Sequence, residues 1–506
     1  MLIYPPGKLY QRGEDRSQGN IEDSTATSMR APNDLGYAAS TLEKKGYNTF
    51  LRDYQSEVHD FSKLKEDFIK LDPDFLYLSI TNSTIFEDLE IVEKLKKIKN
   101  SVIVILKGAL FFDPDKDLLD QLDLSNISYL IGGESDFVVA NLIDAHDKNF
   151  DNLINIRGIL YKVDGVWVKT DFNSWENNLD ILDFPNRSKI NNKLYVRPDT
   201  GEAQATIITS RGCPSKCIFC LTPTISGTKL RLRNPEKIYE EMLMCYEDYD
   251  IRNFFFRSDT FTIDRRWVER LCKLIMKSKL HRKIEWVANS KVKPLEKETL
   301  LIMKEAGCWL VAFGYESGSA ETLIKIKKGC TIDDNIKASS FAKEAKLKTF
   351  GFFLIGLPWE DQKHLEETKN IIFELNSDFI ELHLAVPYYG TPLYELARKE
   401  GLIDDTVLGK DYFNSPTIGT KYLTMEEIED FKRKILLEYH TRPSYIIKRL
   451  GDSLKNYKIL KNYSIYGTRL IAKNISEYFK SSKRNNKLED NLFDKGPINL
   501  DQYKNV

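Results

Sequence analysis

Cys213, Cys217 and Cys220 fall within eight residues of one another, in Ser210-Arg211-Gly212-Cys213-Pro214-Ser215-Lys216-Cys217-Ile218-Phe219-Cys220, directly after a strand-like run at Thr206–Thr209. Three thiolates on one loop can hold three irons of a 4Fe-4S cluster. Such clusters normally take four cysteines, so a three-cysteine site leaves one iron open to a substrate or cofactor. A structural zinc ion is the competing use, and it needs a fourth Cys or His. The nearest candidates, Cys245 and His281, are distant in sequence. Unrelated buried cysteines are the third reading, a poor one for such dense spacing on a Gly/Pro loop. The remaining cysteines, Cys272, Cys308 and Cys330 with Cys245, are scattered, and seven in 506 residues do not make a disulfide scaffold. None follows Cys330, so one cluster is the most this chain is expected to hold.

Such a loop needs a scaffold, and the surrounding pattern supplies one. From Gln204 to about Pro392, apolar runs alternate with helical stretches, with strands expected at Thr206–Thr209, Asn253–Arg257, Ile284–Ala288, Trp309–Tyr315, Thr349–Ile355 and Phe379–Ala385. Six β/α units fit a partial (β/α)6 barrel over 200–395, with chemistry at the C-terminal strand ends. Residues 1–150 predict a separate doubly wound α/β domain. Its strands are expected at Leu2–Tyr4, Asn48–Leu51, Phe75–Thr81, Ser101–Lys107 and Tyr129–Ile131, and Asn33-Asp34 is expected to cap a helix that stops at Gly46. Residues 151–199, rich in Asn, Asp and Trp with a hairpin signal at Asp164-Gly165, read as a linker, and 396–506 as a helical region with a basic tail.

Lys and Arg number 74 against 75 Asp and Glu, a net charge of −1 that offers no field for nucleic acid. With 42% hydrophobic residues the chain can bury sizeable cores and should form two or three domains. No run approaches the ~18 apolar residues of a membrane span, and Met1 to Lys8 lacks a signal pattern, so a cytoplasmic location is expected. Charge is uneven, however. Residues 441–506 carry 14 Lys and Arg but 6 Asp and Glu. Solvated helix faces are the plainer explanation of this excess, and an anionic partner is the alternative.

The CxxxCxxC loop after a first barrel strand resembles the radical S-adenosylmethionine (SAM) superfamily, over about residues 204–395. The resemblance implies a 4Fe-4S cluster on Cys213, Cys217 and Cys220 whose open iron chelates SAM. An electron from the cluster then cleaves SAM to a 5′-deoxyadenosyl radical, while the protein orients the reactants and excludes water and oxygen. It also implies SAM contacts. Phe219 takes the aromatic position near adenine. Asp259, ending Phe256-Arg257-Ser258-Asp259, stands where the family contacts the amino group, although the common Gly-Gly-Glu is missing. Asn289, Ser290 and Lys291 match the ribose and carboxylate segment, with a lysine point charge where relatives often carry the arginine fork. Gly314, Glu316, Ser317 and Gly318 match a Gly-Ile-Glu-Ser-Gly-Ser strand end, and Ile355, Gly356 and Leu357 the adenine-side strand.

An α/β domain ahead of such a barrel resembles the cobalamin-binding radical SAM subgroup. That resemblance implies cobalamin contacts at Ser79, Thr81, Gly108, Gly132, Gly133 and Glu134, where small residues let the backbone approach a bulky corrin and its nucleotide tail. No His precedes His59, so a lower axial histidine from the first loop is not expected, and Lys107-Gly108-Ala109 replaces the usual Gly-Gly. The polar stretch from Tyr10 through Arg16 to Arg30 carries arginines that could grip phosphate or carboxylate. The alternative is a retained α/β fold that docks substrate or a partner.

The resemblance implies cobalamin-dependent C-methyl transfer to an unactivated carbon of a small-molecule or lipid substrate, with a flavodoxin or ferredoxin as reductant. Hopanoid and antibiotic C-methylases share the layout. So does the anaerobic magnesium-protoporphyrin ester cyclase, which makes radical oxidation or ring closure the alternative chemistry. A methylated-cysteine mechanism needs a cysteine beyond the barrel strands, and none follows Cys330; Cys308 and Cys330 read as structural. A non-catalytic cobalamin or SAM sensor would not need the intact cysteine triplet. Tyr445, Ile446, Ile447, Leu450, Leu454, Tyr457 and Leu460, set among Lys and Arg, would suit peripheral membrane contact, though an amphipathic packing helix gives the same spacing.

Overall fold

Short apolar runs separated by amphipathic helices settle as parallel strands, because the crossover helices cover both faces of the sheet. In the computed structural model, which describes residues 1–12, 29–148, 153–172, 175–403, 408–410, 416–454, 456–465 and 467–468, the first five are β1 (Leu2–Tyr4), β2 (Leu51–Asp53), β3 (Phe75–Ser79), β4 (Ile103–Lys107) and β5 (Tyr129–Ile131). They lie side by side in the order β2-β1-β3-β4-β5, all parallel. The helix Phe61–Leu71 shows the local logic: Asp60 accepts from the Lys63 N–H at its start, Leu64 and Phe68 are buried, and Asp72 ends it in a left-handed turn.

Three expectations need correction. The second strand lies three residues later than the apolar run suggests, at Leu51–Asp53. Pro32, not Asn33 or Asp34, occupies the N-cap of the first helix, Asn33–Lys44. Tertiary partners claim both polar side chains: Asn33 Nδ2 donates to Thr206 O at 2.8 Å, and Asp34 accepts from Tyr4, Ser79 and Lys107. Lastly, the Asp164-Gly165 turn joins β6 (Ile159–Val163) to β7 (Val166–Lys169), and this hairpin extends the first sheet with antiparallel strands on the β5 edge. Part of the presumed linker therefore belongs to the first core, to which Leu160 contributes.

After three short helical turns the chain enters the second sheet through β8 (Gln204–Ile208), from which β9 (Ser210–Arg211) leads to the cysteines and pairs with β10 (Arg231–Leu232). β11 (Asn253–Arg257), β12 (Glu285–Ser290), β13 (Cys308–Glu316), β14 (Lys348–Ile355) and β15 (Phe379–Leu384) complete six parallel strands in sequential order from β8 to β15, the open barrel the pattern predicts. Polar caps mark the helix starts that follow these strands: Asn234 before Pro235, Asp264, Ser319, and the capping boxes Thr331/Asp334 and Asp361/His364. Trp286 anchors the helix-facing side, tilted against Phe256 and Phe261 and donating to Ala306 O. Phe255, Val287, Leu310 and Ala312 cluster on the other.

The chain forms two compact units, Met1–Lys432 and Arg433–Val506. In the second, the described helix Pro443–Ser453 leaves Ile447 and Leu450 exposed. Among the described residues no helix is long and apolar enough to cross a membrane. The stretch 13–28, with Arg16 and most of the polar segment noted above, and the basic tail 469–506 lie outside the described residues.

Candidate active site

β9 and β10 form a two-residue ladder whose far end must turn sharply to present the cysteines. Gly212 makes that turn at φ +80°, where a Cβ would lie 2.1 Å from Lys229 O. Beyond it, Cys213 N–H donates to Gly227 O (3.2 Å) and Cys220 N–H to Cys217 O (3.2 Å), which fixes the loop independently of any ligand. Cys213 and Cys217 are buried, Cys220 half-buried, and all are free thiols. Burial pushes the Cys217 thiol up to about 12, against the pull of the Lys328 ammonium. Among the described residues no three His, Cys, Asp or Glu side chains are placed to share one metal ion. Three cysteines on one loop are the ligand set for three irons of a 4Fe-4S cluster.

The SAM-associated segments gather around this loop with different degrees of engagement. Lys291 Nζ donates to Ser215 Oγ, within the cysteine loop, at 2.6 Å. Ser290 Oγ instead pairs with Thr262 Oγ1 at 2.5 Å and Lys291 O, and Asn289 is half-buried beside it. Phe219 packs with Leu357, Leu354 and Leu323 in one apolar cluster, so the cysteine loop and the end of β14 share a core, with Ile355 buried alongside. Asp259 lines the cleft between the two sheets. Glu316 sits at φ +64° where β13 bulges after Gly314. Ser317 and Gly318 are turned elsewhere: both meet Thr368 Oγ1, at 3.0 and 3.1 Å, in the helix Gln362–Leu375.

The cleft lies at the C-terminal strand ends of both sheets. Lys107, Ala109, Gly133, Glu134 and Ser135 line it from the first domain, and Ser210, Arg211, Ile225, Arg257 and Asp259 from the barrel. Ala109, Gly133 and Ser135 give the cleft a small-residue rim, at the position where open α/β sheets bind cofactors. The other implied contacts are engaged by the protein. Ser79 Oγ donates to Asp34 (2.8 Å), Thr81 Oγ1 meets Thr84 Oγ1 (3.0 Å), Gly108 packs on Ile80, and Gly132 sits so close to Phe111 O that a Cβ would be 2.4 Å away.

Glu134 has a further duty. It accepts from Arg231 Nη1 at 2.8 Å and also bonds Nη2, while Asp136 takes Arg211 in two bonds of 2.5 and 3.1 Å. All four side chains are buried, so two charge-assisted pairs clamp the β9-β10 ladder to the end of β5. Arg12, read as a possible anion grip, is buried against Asp88 (2.7 and 3.0 Å) and donates to Ser79 O. Arg30 stacks over Phe255.

Three residues with no motif of their own also reach the site. Lys328 Nζ bonds Glu316 Oε1 at 2.5 Å with both side chains buried. Burial opposes this charge most strongly, but the Glu316 carboxylate together with Cys217 and Cys330 lifts the lysine above its ordinary range. Glu360 accepts the N–H groups of Gly356 and Leu357 at 2.8 and 3.1 Å. Asp136 is the third. No sequence signal marks Lys328 or Glu360, since Lys327-Lys328-Gly329 and Trp359-Glu360-Asp361 read as polar turns, although such groups stay buried only when paired.

Residues 207–372 match the model of the radical SAM superfamily. A Pyrococcus horikoshii methyltransferase, itself uncharacterized, is 29% identical over 376 residues, 74% of this chain and 80% of that one. The anaerobic magnesium-protoporphyrin IX monomethyl ester cyclase of Cereibacter sphaeroides is 26% identical over 60% of this chain, which spans 50% of that protein. Among solved structures, the cobalamin-dependent SAM radical enzyme OxsB with aqua-cobalamin and SAM bound aligns at TM-score 0.67 and 16% identity, covering 94% of this chain and 71% of that one. TsrM, a radical SAM methyltransferase from Kitasatospora setae, aligns at TM-score 0.64 and 18% identity over 79% of this chain and 76% of its own. Residues 207–372 thus match as a radical SAM domain, and the chain has the fold of the cobalamin-dependent radical SAM enzymes it aligns with.

Proposed function

We propose that this protein is a cobalamin-dependent radical SAM methyltransferase that modifies an unactivated carbon of a small-molecule or lipid substrate. The observation that carries the reading is the cleft itself: Ser210 and Arg211, the strand that leads into the cysteine loop, face the small-residue rim Ala109, Gly133 and Ser135 across it, joined by the Arg211–Asp136 and Arg231–Glu134 pairs. When bound, the cluster supplies the electron that cleaves SAM and cobalamin supplies the methyl group. Cys213, Cys217 and Cys220 would hold the cluster. Lys291 and Glu316 would orient SAM beside it, with Phe219, Ile355, Gly356 and Leu357 forming the adenine side, and Gly133 with its neighbours would seat the corrin. Residues 1–150 would then be the cobalamin domain and 200–395 the radical domain. A flavodoxin- or ferredoxin-type donor, a cytoplasmic setting and peripheral membrane contact complete the proposal.

Anaerobic reconstitution with iron, sulfide and hydroxocobalamin tests it. The expected result is about four irons and one cobalt per chain, 5′-deoxyadenosine formed with dithionite, and label passed from methyl-labelled SAM to cobalamin. Cys213→Ala, Cys217→Ala, Cys220→Ala together should abolish all iron-dependent signals. Four irons without cobalt would remove methyl transfer and favour oxidation or ring closure, the chemistry of the Cereibacter relative.

A further inference from the structure

The buried Lys328–Glu316 pair is unusual in its position. Lys328 lies past the end of the short helix Ala320–Lys325, and one backbone bond and one thiol contact hold its segment under the cysteine loop: Ile218 N–H donates to Ile326 O at 3.1 Å, and Cys217 Sγ is 3.8 Å from Lys327 O. The ammonium thus has no freedom to swing into solvent; its side chain is 7% exposed, and that of Glu316 12%. The charged groups acting on the Cys217 sulfur are Lys328, Glu316 and Lys291, with the Cys220 thiol on the same loop. Lys291 is partly exposed and held by Ser215, so water screens it, whereas Lys328 acts through a dry interior where a unit charge is felt strongly.

Iron–sulfur potentials follow the net charge and hydrogen bonding around the sulfurs and their exposure. A fixed cation beside a ligand thiolate favours addition of an electron, and an anion beside it opposes that addition. We propose that Lys328 and Glu316 are a charge pair that sets the reduction potential of the cluster held by Cys213, Cys217 and Cys220. The lysine eases entry of one electron from a low-potential donor, and the glutamate holds the lysine in place and limits the effect. This rests on the cluster reading, and the bond geometry makes both residues positioning and tuning groups, not ligands.

The pair predicts shifts of opposite sign in a single measurement. Full-length protein is reconstituted with iron and sulfide alone, without SAM or cobalamin, and titrated with dithionite while the reduced-cluster electron paramagnetic resonance signal is followed. Lys328→Met should make reduction harder by about tenfold or more, near 59 mV for a one-electron couple. Glu316→Gln should make it easier, and Lys328→Arg, which keeps the charge, should stay within about threefold of wild type. Iron content and signal shape identify variants that have lost the cluster. If Lys328→Met fails to take up iron, the upward shift in Glu316→Gln decides alone. Unchanged potentials in cluster-bearing variants, or shifts of the same sign, overturn the proposal while leaving the cluster intact. A wild-type chain that binds no iron overturns the cluster reading and this proposal together.

Discussion

Glu360 shows what a single buried carboxylate does in this fold. It accepts two backbone N–H groups from Gly356 and Leu357 and faces the Thr322 hydroxyl at 3.3 Å, so it closes the turn after β14 that would border adenine. Burial nevertheless pushes its pKa up to about 7, the donors only partly offsetting desolvation. A carboxyl whose folded pKa lies above its unfolded value holds its proton longer in the fold. Its stabilising contribution is therefore complete below about pH 4.5 and is lost as pH rises through about 7, by up to roughly 3 kcal/mol at 1.36 kcal/mol per unit. Glu360→Gln should remove that slope. Urea unfolding of both proteins at pH 5 and pH 8 measures it, and equal pH dependence in the two would refute the assignment. This residue was not legible beforehand, because Pro358-Trp359-Glu360-Asp361 reads as an ordinary polar turn. The cysteines were legible, since spacing within one loop survives any fold. Lys328 was not, because 108 residues and five α-helices separate it from Cys220, and only packing brings its segment against the Cys217 thiol.

At the scale of elements, the β9-β10 ladder is the joint between the two sheets. Two residues per strand are too few to hold a loop rigid by backbone pairing alone, so Arg211 and Arg231 fasten it to Asp136 and Glu134. Removing one member takes the close partner from a buried charge, and without Asp136 the 3.5 Å approach of Glu134 to Arg211 is the weaker pairing that stays. Asp136→Ala should cost about 3–5 kcal/mol, and the paired Asp136→Leu, Arg211→Met should cost less than the single change, because no charge is then left unpaired. Denaturant unfolding gives the energies, and iron retained after gel filtration tells whether the ladder positions the cysteines. A double variant as unstable as the single one would show that the pair is not coupled. Sequence patterns found the strands on either side of this joint but assigned Glu134 as a cofactor contact only. Periodicity reports which face of a strand is buried, not which buried partner it meets. The hairpin β6-β7 is legible at its Asp164-Gly165 turn, but edge strands with half-exposed faces and Asn, Asp and Trp-rich flanks carry no alternation that assigns them to the first sheet.

For the whole molecule, charge and apolar exposure are unevenly shared. Residues 441–506 hold 14 Lys and Arg against 6 Asp and Glu. The packing-helix explanation of their apolar spacing requires those side chains to be covered, but Ile447 is 69% exposed, Leu454 84% and Tyr457 78%. Exposed aliphatic and aromatic side chains among lysines are the composition of a segment that lies on an anionic bilayer, where each cation near the surface adds about 1 kcal/mol. Full-length protein should therefore sediment with vesicles containing phosphatidylglycerol and not with phosphatidylcholine alone, and raised salt should weaken binding. Placing carboxylates at two of the exposed positions, Ile447→Asp with Leu454→Asp, forfeits the burial of two apolar side chains, each about 1.5–3 kcal/mol. Vesicle affinity should then fall by about tenfold or more, while iron uptake, which depends on the cysteine loop in the other unit, should not change. Equal sedimentation with both lipids, or no loss in the double variant, would count against a membrane surface and return the exposed side chains to a protein partner. Binding confined to the anionic vesicles would place this enzyme's chemistry beside a lipid pool and make lipids the first substrates to screen.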